Sequence, residues 1–541
     1  MLRALHRLSA DRRGNVAMMF ALTIIPFLVL AGLAIDIART VMVRERLGQA
    51  VDAAILAVGA APELTETEAQ TFGEQFFAAN YGDDLLGSTY DIDIEIQGNL
   101  ITMSASAEVP TTLLAIAGKS SFKIRQEAQA LRGGNDLELV LVLDNTGSMS
   151  GSKIESLRDA STQAVELLFD TAANDPDAVQ IGLVPFAATV NVGTSFERVW
   201  WMDADAQSPA HHHEHTWNAE INRWDLFDEI GVDWAGCVES RAEPYDLDDT
   251  PPSVSDPDTL FVPYFAADAP GDRHDAEWGY SDSESWLDDG EFSRALNPSA
   301  GAGGIPSWLV GLIGSGLPPG LSLGPGQMYM SENEARQAYV GKYYAGNSPW
   351  GDGPNEGCIE QPIFPLSTNE SALLDAIDDM NASGTTNIPN GVSWGVRVLS
   401  STAPFTDGEP YGTDELLKAM IVLTDGDNVM SGAWNDNMSR YNTYGYVAEG
   451  RFGIYSNNGN TLADRLDDKT EQVCQYAKDQ GIRVYTITFQ VSSSSTRDMM
   501  EDCASVDEDG EPLYWDSPSN NELETVFLEI ARDLVELRLT K

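Results

Sequence analysis

Basic residues are scarce in this chain, and their scarcity excludes more than any motif does. Its 541 residues include 32 Lys and Arg against 84 Asp and Glu, a formal net charge of −52. Such a surface repels a phosphate backbone, so nucleic acid is not an expected partner. Cysteine is sparse too: there are 4, and none lies in a Cys-x-x-Cys pair. An even count allows two disulfides in three pairings. Position favours Cys237–Cys358, near either end of a long irregular region, and Cys474–Cys503, flanking the apolar run Ile482–Gln490. No Gly-x-x-x-x-Gly-Lys-Ser/Thr loop is present, so nucleotide binding is not expected.

Long uncharged runs are rare as well. The main one is Val16–Ile35, VAMMFALTIIPFLVLAGLAI. About 20 apolar residues suffice to span a bilayer as a helix. Arg3, Arg7, Arg12 and Arg13 precede the run, which favours a cytoplasmic N-terminus. The expectation is a basic tail over 1–14 and a transmembrane helix over 15–37. The rival reading is a cleaved leader ending near Gly32-Leu33-Ala34.

Residues 38–135 read as a small α+β region. Helical spacing continues through Val41, Leu47, Val51, Ile55 and Val58. Ile92, Ile94 and Ile96 then alternate with acids, a Gln97-Gly98-Asn99 turn follows, and Ile101, Met103, Ala105 and Val109 resume the alternation. That pattern is a β-hairpin, and Phe122 and Ile124 suggest a third strand. A long helix leading to a small sheet resembles pilins in outline, so 38–135 is expected to be a pilin-like α+β region.

The rest predicts an α/β fold with a doubly wound, mainly parallel sheet. Leu137–Leu143 and Met420–Thr424 are aliphatic runs bounded by turn residues, as suits strands buried on both faces. Val179–Pro185 and Val484–Phe489 supply further strands. The first half of the domain covers 136–199 and the second 366–541. Between them, 200–365 is rich in Trp, Gly, Asp and Pro and lacks periodicity. A structureless loop of that length is improbable in a compact domain. It reads as a folded insertion packed on its tryptophans and stapled by Cys237–Cys358.

Ligands of open α/β sheets bind at the carboxyl ends of the strands. Asp144, Thr146 and Ser148 follow one strand, Asp425 follows another, and Thr386 stands just ahead of a helix. Two carboxylates and three hydroxyls are hard oxygen donors, suited to magnesium or manganese, with calcium an alternative. This pattern resembles the metal-ion-dependent adhesion site of von Willebrand factor A domains, Asp-x-Ser-x-Ser with a distant Thr and a distant Asp. Here Thr146 replaces the first Ser. The resemblance implies that Thr146, Ser148 and Thr386 bind the ion and that Asp144 and Asp425 act mainly through water. The ion would then have an open position for a partner's carboxylate.

Over nearly its whole length the chain resembles tight-adherence (Tad) pilus assembly proteins of the TadG type. The resemblance is carried by RRGNVAMMFAL at 12–22, LVLDNTGSM at 141–149, GTTNIPNGVSWGVRVLS at 384–400 and the final LRLTK. It implies a single-pass bacterial inner-membrane protein with a periplasmic main domain. That domain would bind pilin or other pilus assembly components through an acidic side chain at the metal. Outer-surface exposure is the alternative location. Flp pilins carry Glu five residues after the cleavage site; here, counting from Gly14, Met19 stands there. Processing and polymerisation as a pilin are therefore not expected.

Two other functions compete. One is a structural or adhesin-like envelope protein whose metal only stabilises the fold. The other is a zinc hydrolase, for which His211-His212-His213-Glu214-His215 is the best support. Adjacent histidines do not all face one ion from a regular helix, and no His-Glu-x-x-His follows. An enzyme is therefore not expected.

Overall fold

The computed structural model describes residues 13–59, 61, 64–82, 88–97, 100–112, 115, 118–131, 135–172, 175–212, 221–269, 343, 353–434 and 437–540. The chain divides into two compact units, Met1–Gly134 with Leu537–Lys541, and Asn135–Glu536.

The first unit contains α1 (Arg13–Gly59), α2 (Glu66–Tyr81), β1 (Ser88–Gln97), β2 (Leu100–Pro110) and β3 (Ser121–Leu131). Thr65 starts α2 with a capping box. Its side chain accepts from the Glu68 amide, and the Glu68 carboxylate accepts the Thr65 amide at 3.0 Å. The alternating isoleucines form the expected antiparallel hairpin, with Ile96 opposite Ile101, and β3 pairs on its far side. Leu47, Val51, Ile55 and Val58 of α1 pack with Ile94, Ile101, Met103 and Val109 of the sheet. Val41, expected on that face, is 50% exposed, and Val43 is buried in its stead. The apolar run ends at Asp36, whose carboxylate accepts the amide and hydroxyl of Thr112 at 3.0 and 3.1 Å. The predicted span 15–37 lies within α1. Among the described residues no helix is long and apolar enough to cross a membrane.

The second unit is built from β4 (Asp136–Asp144), α3 (Ser152–Asp170), β5 (Val179–Phe186), β6 (Val190–Asn191), α4 (Arg223–Ile230), β7 (Cys237–Val238), β8 (Phe364–Ser367), α5 (Glu370–Asp378), α6 (Ile388–Leu399), β9 (Leu416–Thr424), α7 (Gly459–Asp479), β10 (Arg483–Phe489), α8 (Ser494–Cys503), β11 (Tyr514–Ser517) and α9 (Asn520–Thr540). Six strands form one sheet in the order β11-β10-β9-β4-β5-β8. All neighbours are parallel except β8, which runs antiparallel to β5 at the edge.

The aliphatic runs are continuous because both faces are covered. Leu137, Leu139, Leu141 and Leu143 of β4 pack with Leu157 of α3, Ile377 of α5 and Phe527 of α9. Val140 and Val142, pointing the other way, pack with Val392 of α6, Val473 of α7 and Met499 of α8. The period of two along β4 thus feeds two separate cores. A disulfide joins Cys474 of α7 to Cys503 of α8.

The described part of the insertion is folded. Trp201, Trp224 and Trp234 are buried, whereas Trp200 is exposed. Trp224 and Trp234 meet edge to face, with ring centroids 5.3 Å apart. The Cys237–Cys358 disulfide closes a separation of 121 residues. The remaining insertion tryptophans lie outside the described residues. Charge is buried here as well: Glu239 faces the guanidinium groups of both Arg223 and Arg451.

Candidate metal centre

Parallel pairing puts the carboxyl ends of β4 and β9 side by side. Leu143 pairs with Leu423, so Asp144 meets Thr424 and Asp425 follows at the same sheet edge. The Thr424 hydroxyl donates to Asp144 Oδ2 at 2.8 Å, and the Thr146 amide donates to Asp144 Oδ1 at 2.8 Å. The second bond is the local side-chain turn that Asp makes two residues on.

A chain of side-chain contacts then runs across the edge. The Thr146 and Ser148 hydroxyls are 2.9 Å apart, and Ser148 Oγ donates to Asp425 Oδ1 at 2.5 Å. Lys153 Nζ, from the first turn of α3, lies 2.6 Å from Asp425 Oδ2. Met149, fully buried in the leucine-rich core, anchors the turn that carries Ser148. Asp144 and Thr146 are buried, while Ser148 is exposed, so the cluster opens to solvent on its serine side.

The loop that carries Thr386 meets the Asp144–Ser148 turn through the backbone of Ser383 and Gly384. The Gly147 amide donates to Gly384 O at 3.0 Å, and the Ser383 amide to Asn145 O at 2.7 Å. Gly384 has φ +81°, and a Cβ there would lie 3.3 Å from that of Ala187. Thr386 itself is buried, and its carbonyl accepts the Val429 amide at 2.9 Å. Asn387 then caps α6 by accepting the Asn390 amide. The structure therefore links Thr146, Ser148 and Asp425 side chain to side chain, ties Asp144 to the same turn through the Thr146 amide, and brings the Thr386 loop against them.

The electrostatics suit a cation. Burial pushes the Asp144 carboxyl up from 3.8 to about 6, and the nearby Asp425 charge pushes in the same direction. Hydrogen bonds from Thr146 and Thr424 pull it partly back. Two carboxylates, with hydroxyls between them, form an oxygen-only donor set that fits a hard divalent ion. Among the described residues no three His, Cys, Asp or Glu side chains gather as a ligand set. A centre of two carboxylates and three hydroxyls does not require one.

Lys153 and Thr424 were not singled out in the sequence. Thr424 was readable, as the last strand residue before Asp425. Lys153 gave no signal, because a lysine in a first helical turn reads as solvated. A Gly-x-Ser-x-Gly spelling at Gly320–Gly324 lies outside the described residues.

The histidine run resolves differently. His211 is fully buried; its Nδ1 accepts the Arg223 amide at 3.2 Å, and its Nε2 faces Asp203 at 3.4 Å. The His212 ring meets the Ala206 carbonyl. His213, Glu214 and His215 lie outside the described residues. Burial holds the His211 imidazole well below its ordinary range. A depressed imidazole contributes stability above the unfolded value of about 6.5 that is lost as pH falls below it. His211→Asn keeps an acceptor but cannot protonate. Its destabilisation relative to the native chain should therefore shrink between pH 7.5 and 5.5, as read by thermal unfolding. An unchanged gap would show that His211 does not titrate on unfolding.

No curated protein sequence matches the chain. Among solved structures, the pilus adhesin SpaC from Lactobacillus rhamnosus GG is 13% identical with a TM-score of 0.31, over 84% of this chain and 35% of that one. The von Willebrand factor domain of the type V pili tip protein Mfa5 from Porphyromonas gingivalis is 9% identical with a TM-score of 0.30. That match covers 74% of this chain and 95% of that one. Residues 14–61, nearly the whole of α1, match the TadE/G-like Flp pilus-assembly family (Tad).

Proposed function

We propose that this chain is a membrane-anchored bacterial envelope protein of Tad/Flp pilus assembly, and that its von Willebrand factor A-type domain binds a carboxylate-bearing partner protein through a divalent cation. Magnesium is the ion of choice, with manganese an equivalent and calcium an alternative. Asp144, Thr146, Ser148, Thr386 and Asp425 hold it. The anchor is the uncharged run of α1, and the main domain is periplasmic. The partner is pilin or another pilus assembly component, and recognition is non-enzymatic.

One observation carries this reading. Asp144 and Asp425, from adjacent parallel strand ends, each accept a hydroxyl at a solvent-facing edge, Asp144 from Thr424 and Asp425 from Ser148. The family match at 14–61 supports the pilus context. With a formal charge of −52, the surface has little to offer an acidic partner except a bound cation.

Calorimetric titration of the full chain with magnesium and manganese tests the reading. The expected result is near 1:1 binding that an Asp144→Ala, Asp425→Ala variant loses. Equal weak binding by both proteins would mean that the acidic surface alone attracts the ion, and the proposal would fall.

A further inference from the structure

The centre contains a third charge that the adhesion-site pattern does not include. Lys153 is the second residue of α3, where the helix dipole favours acids over bases. Its ammonium nevertheless turns to the sheet edge and pairs with Asp425, 272 residues away, at 2.6 Å. The contact is largely out of water: the Lys153 side chain is 22% exposed and that of Asp425 is 0%. The Phe489 ring lies 5.8 Å from the ammonium, an apolar neighbour that shields it from bulk water only in part, since the side chain keeps 22% of its exposure. Asp425 Oδ1 meanwhile takes the Ser148 hydroxyl, so both carboxylate oxygens are engaged.

Asp144 and Asp425 bring two negative charges and Lys153 one positive. A divalent ion joining the two carboxylates alone would reach neutrality, leaving little attraction for a further anion. With Lys153 in place, the same ion leaves one net positive charge.

We infer that Lys153 is a specificity-determining residue of the centre: it neutralises Asp425, weakens the hold on the divalent ion and leaves the bound ion electropositive enough to take an external carboxylate. This rests on the metal-dependent reading above. It assigns the two carboxylates different roles. Asp144 faces the ion's charge, and Asp425 is held by lysine and serine. The cost in metal affinity and the gain in anion affinity arise from the same ammonium, so one substitution should move them in opposite directions.

The experiment compares the full-length native chain with Lys153→Met, Lys153→Arg and the Asp144→Ala, Asp425→Ala variant. Manganese affinity is read by calorimetry. N-acetyl-aspartate amide serves as the carboxylate probe, its binding read by displacement of water from bound manganese in proton relaxation. Charges a few ångströms apart at a protein surface interact strongly enough to shift an affinity by about tenfold or more. Lys153→Met, which keeps an unbranched stem, should bind manganese about tenfold more tightly and the probe about tenfold more weakly, while Lys153→Arg stays near the native values. If Lys153→Met leaves manganese affinity unchanged or lowers it, while the double aspartate variant abolishes binding, the role given to Lys153 is overturned and the metal centre stands. If the native chain itself fails to bind manganese near 1:1, the metal-dependent reading fails and this inference falls with it. Thermal unfolding of each variant shows that any change reflects the site and not loss of the fold.

Discussion

Asp144→Asn is expected to stabilise the metal-free chain at neutral pH and, at the same time, to abolish stabilisation by magnesium. The Asp144 carboxyl is fully buried, and its pKa is raised from 3.8 to about 6. A carboxyl raised on folding contributes stability that is complete below the unfolded value, near 4, and lost as pH rises through the folded value, near 6. At pH 7.5 the native chain therefore carries this burden in full. A shift of roughly two units corresponds to about 3 kcal/mol, an upper figure for what the substitution can recover. Asn keeps the geometry: its Oδ1 still accepts the Thr146 amide, and the Thr424 hydroxyl can accept from its amide. Thermal unfolding in chelator at pH 7.5 should show a higher midpoint for the variant, and at pH 4 the gap should close. Added magnesium should raise the midpoint of the native chain alone, because a bound ion that favours the folded state stabilises by mass action. A variant less stable than the native chain in chelator would mean that the buried carboxylate serves the metal-free fold itself. A charge kept at a cost to the fold points to ligand binding as the reason for it.

Much of this site was readable before the fold was known, for physical reasons that can be named. LELVLVLD and AMIVLTD are aliphatic runs that end on Asp, and buried parallel strands deliver their last residues to one edge. The hairpin in the first unit was readable because Ile92, Ile94 and Ile96 alternate with acids around a turn. The disulfide pairing followed from where the cysteines stand relative to the insertion and to β10. Other features depend on partners far apart in the chain. Lys153 finds Asp425 across 272 residues, and no local pattern marks that pairing. β8, Phe-Pro-Leu-Ser, is too short to show a period, and Pro365 within it suits only an edge position. Val41 and Val43 both fit a helical stripe, and only the packing of the sheet below decides which is buried.

Glu239→Ala should cost the fold about 3–5 kcal/mol, because it removes the buried carboxylate on which two buried guanidinium groups converge. Glu239 is 1% exposed. One carboxylate oxygen meets Arg223 and the Tyr441 hydroxyl, and the other meets Arg451. Arg223 also donates to the Ala210 carbonyl at 2.6 Å, and Arg451 to that of Thr443 at 3.1 Å, so neither guanidinium can leave without breaking further bonds. Arg223 belongs to the insertion, whereas Arg451 belongs to the segment between Asp425 and α7. Glu239 thus ties the insertion to the half of the domain that carries the second aspartate. The leucine-rich core on the opposite face of the sheet contains none of these residues. The variant should accordingly lose stability to urea and become susceptible to limited proteolysis between residues 200 and 270. At low temperature it should still bind magnesium near 1:1, because Asp144, Ser148 and Asp425 are held by the strand ends. Loss of magnesium binding in a variant that remains folded would show that the insertion is part of the centre rather than a module beside it. An unchanged urea midpoint would show that the two arginines find other partners, and the network would then count for little in the fold.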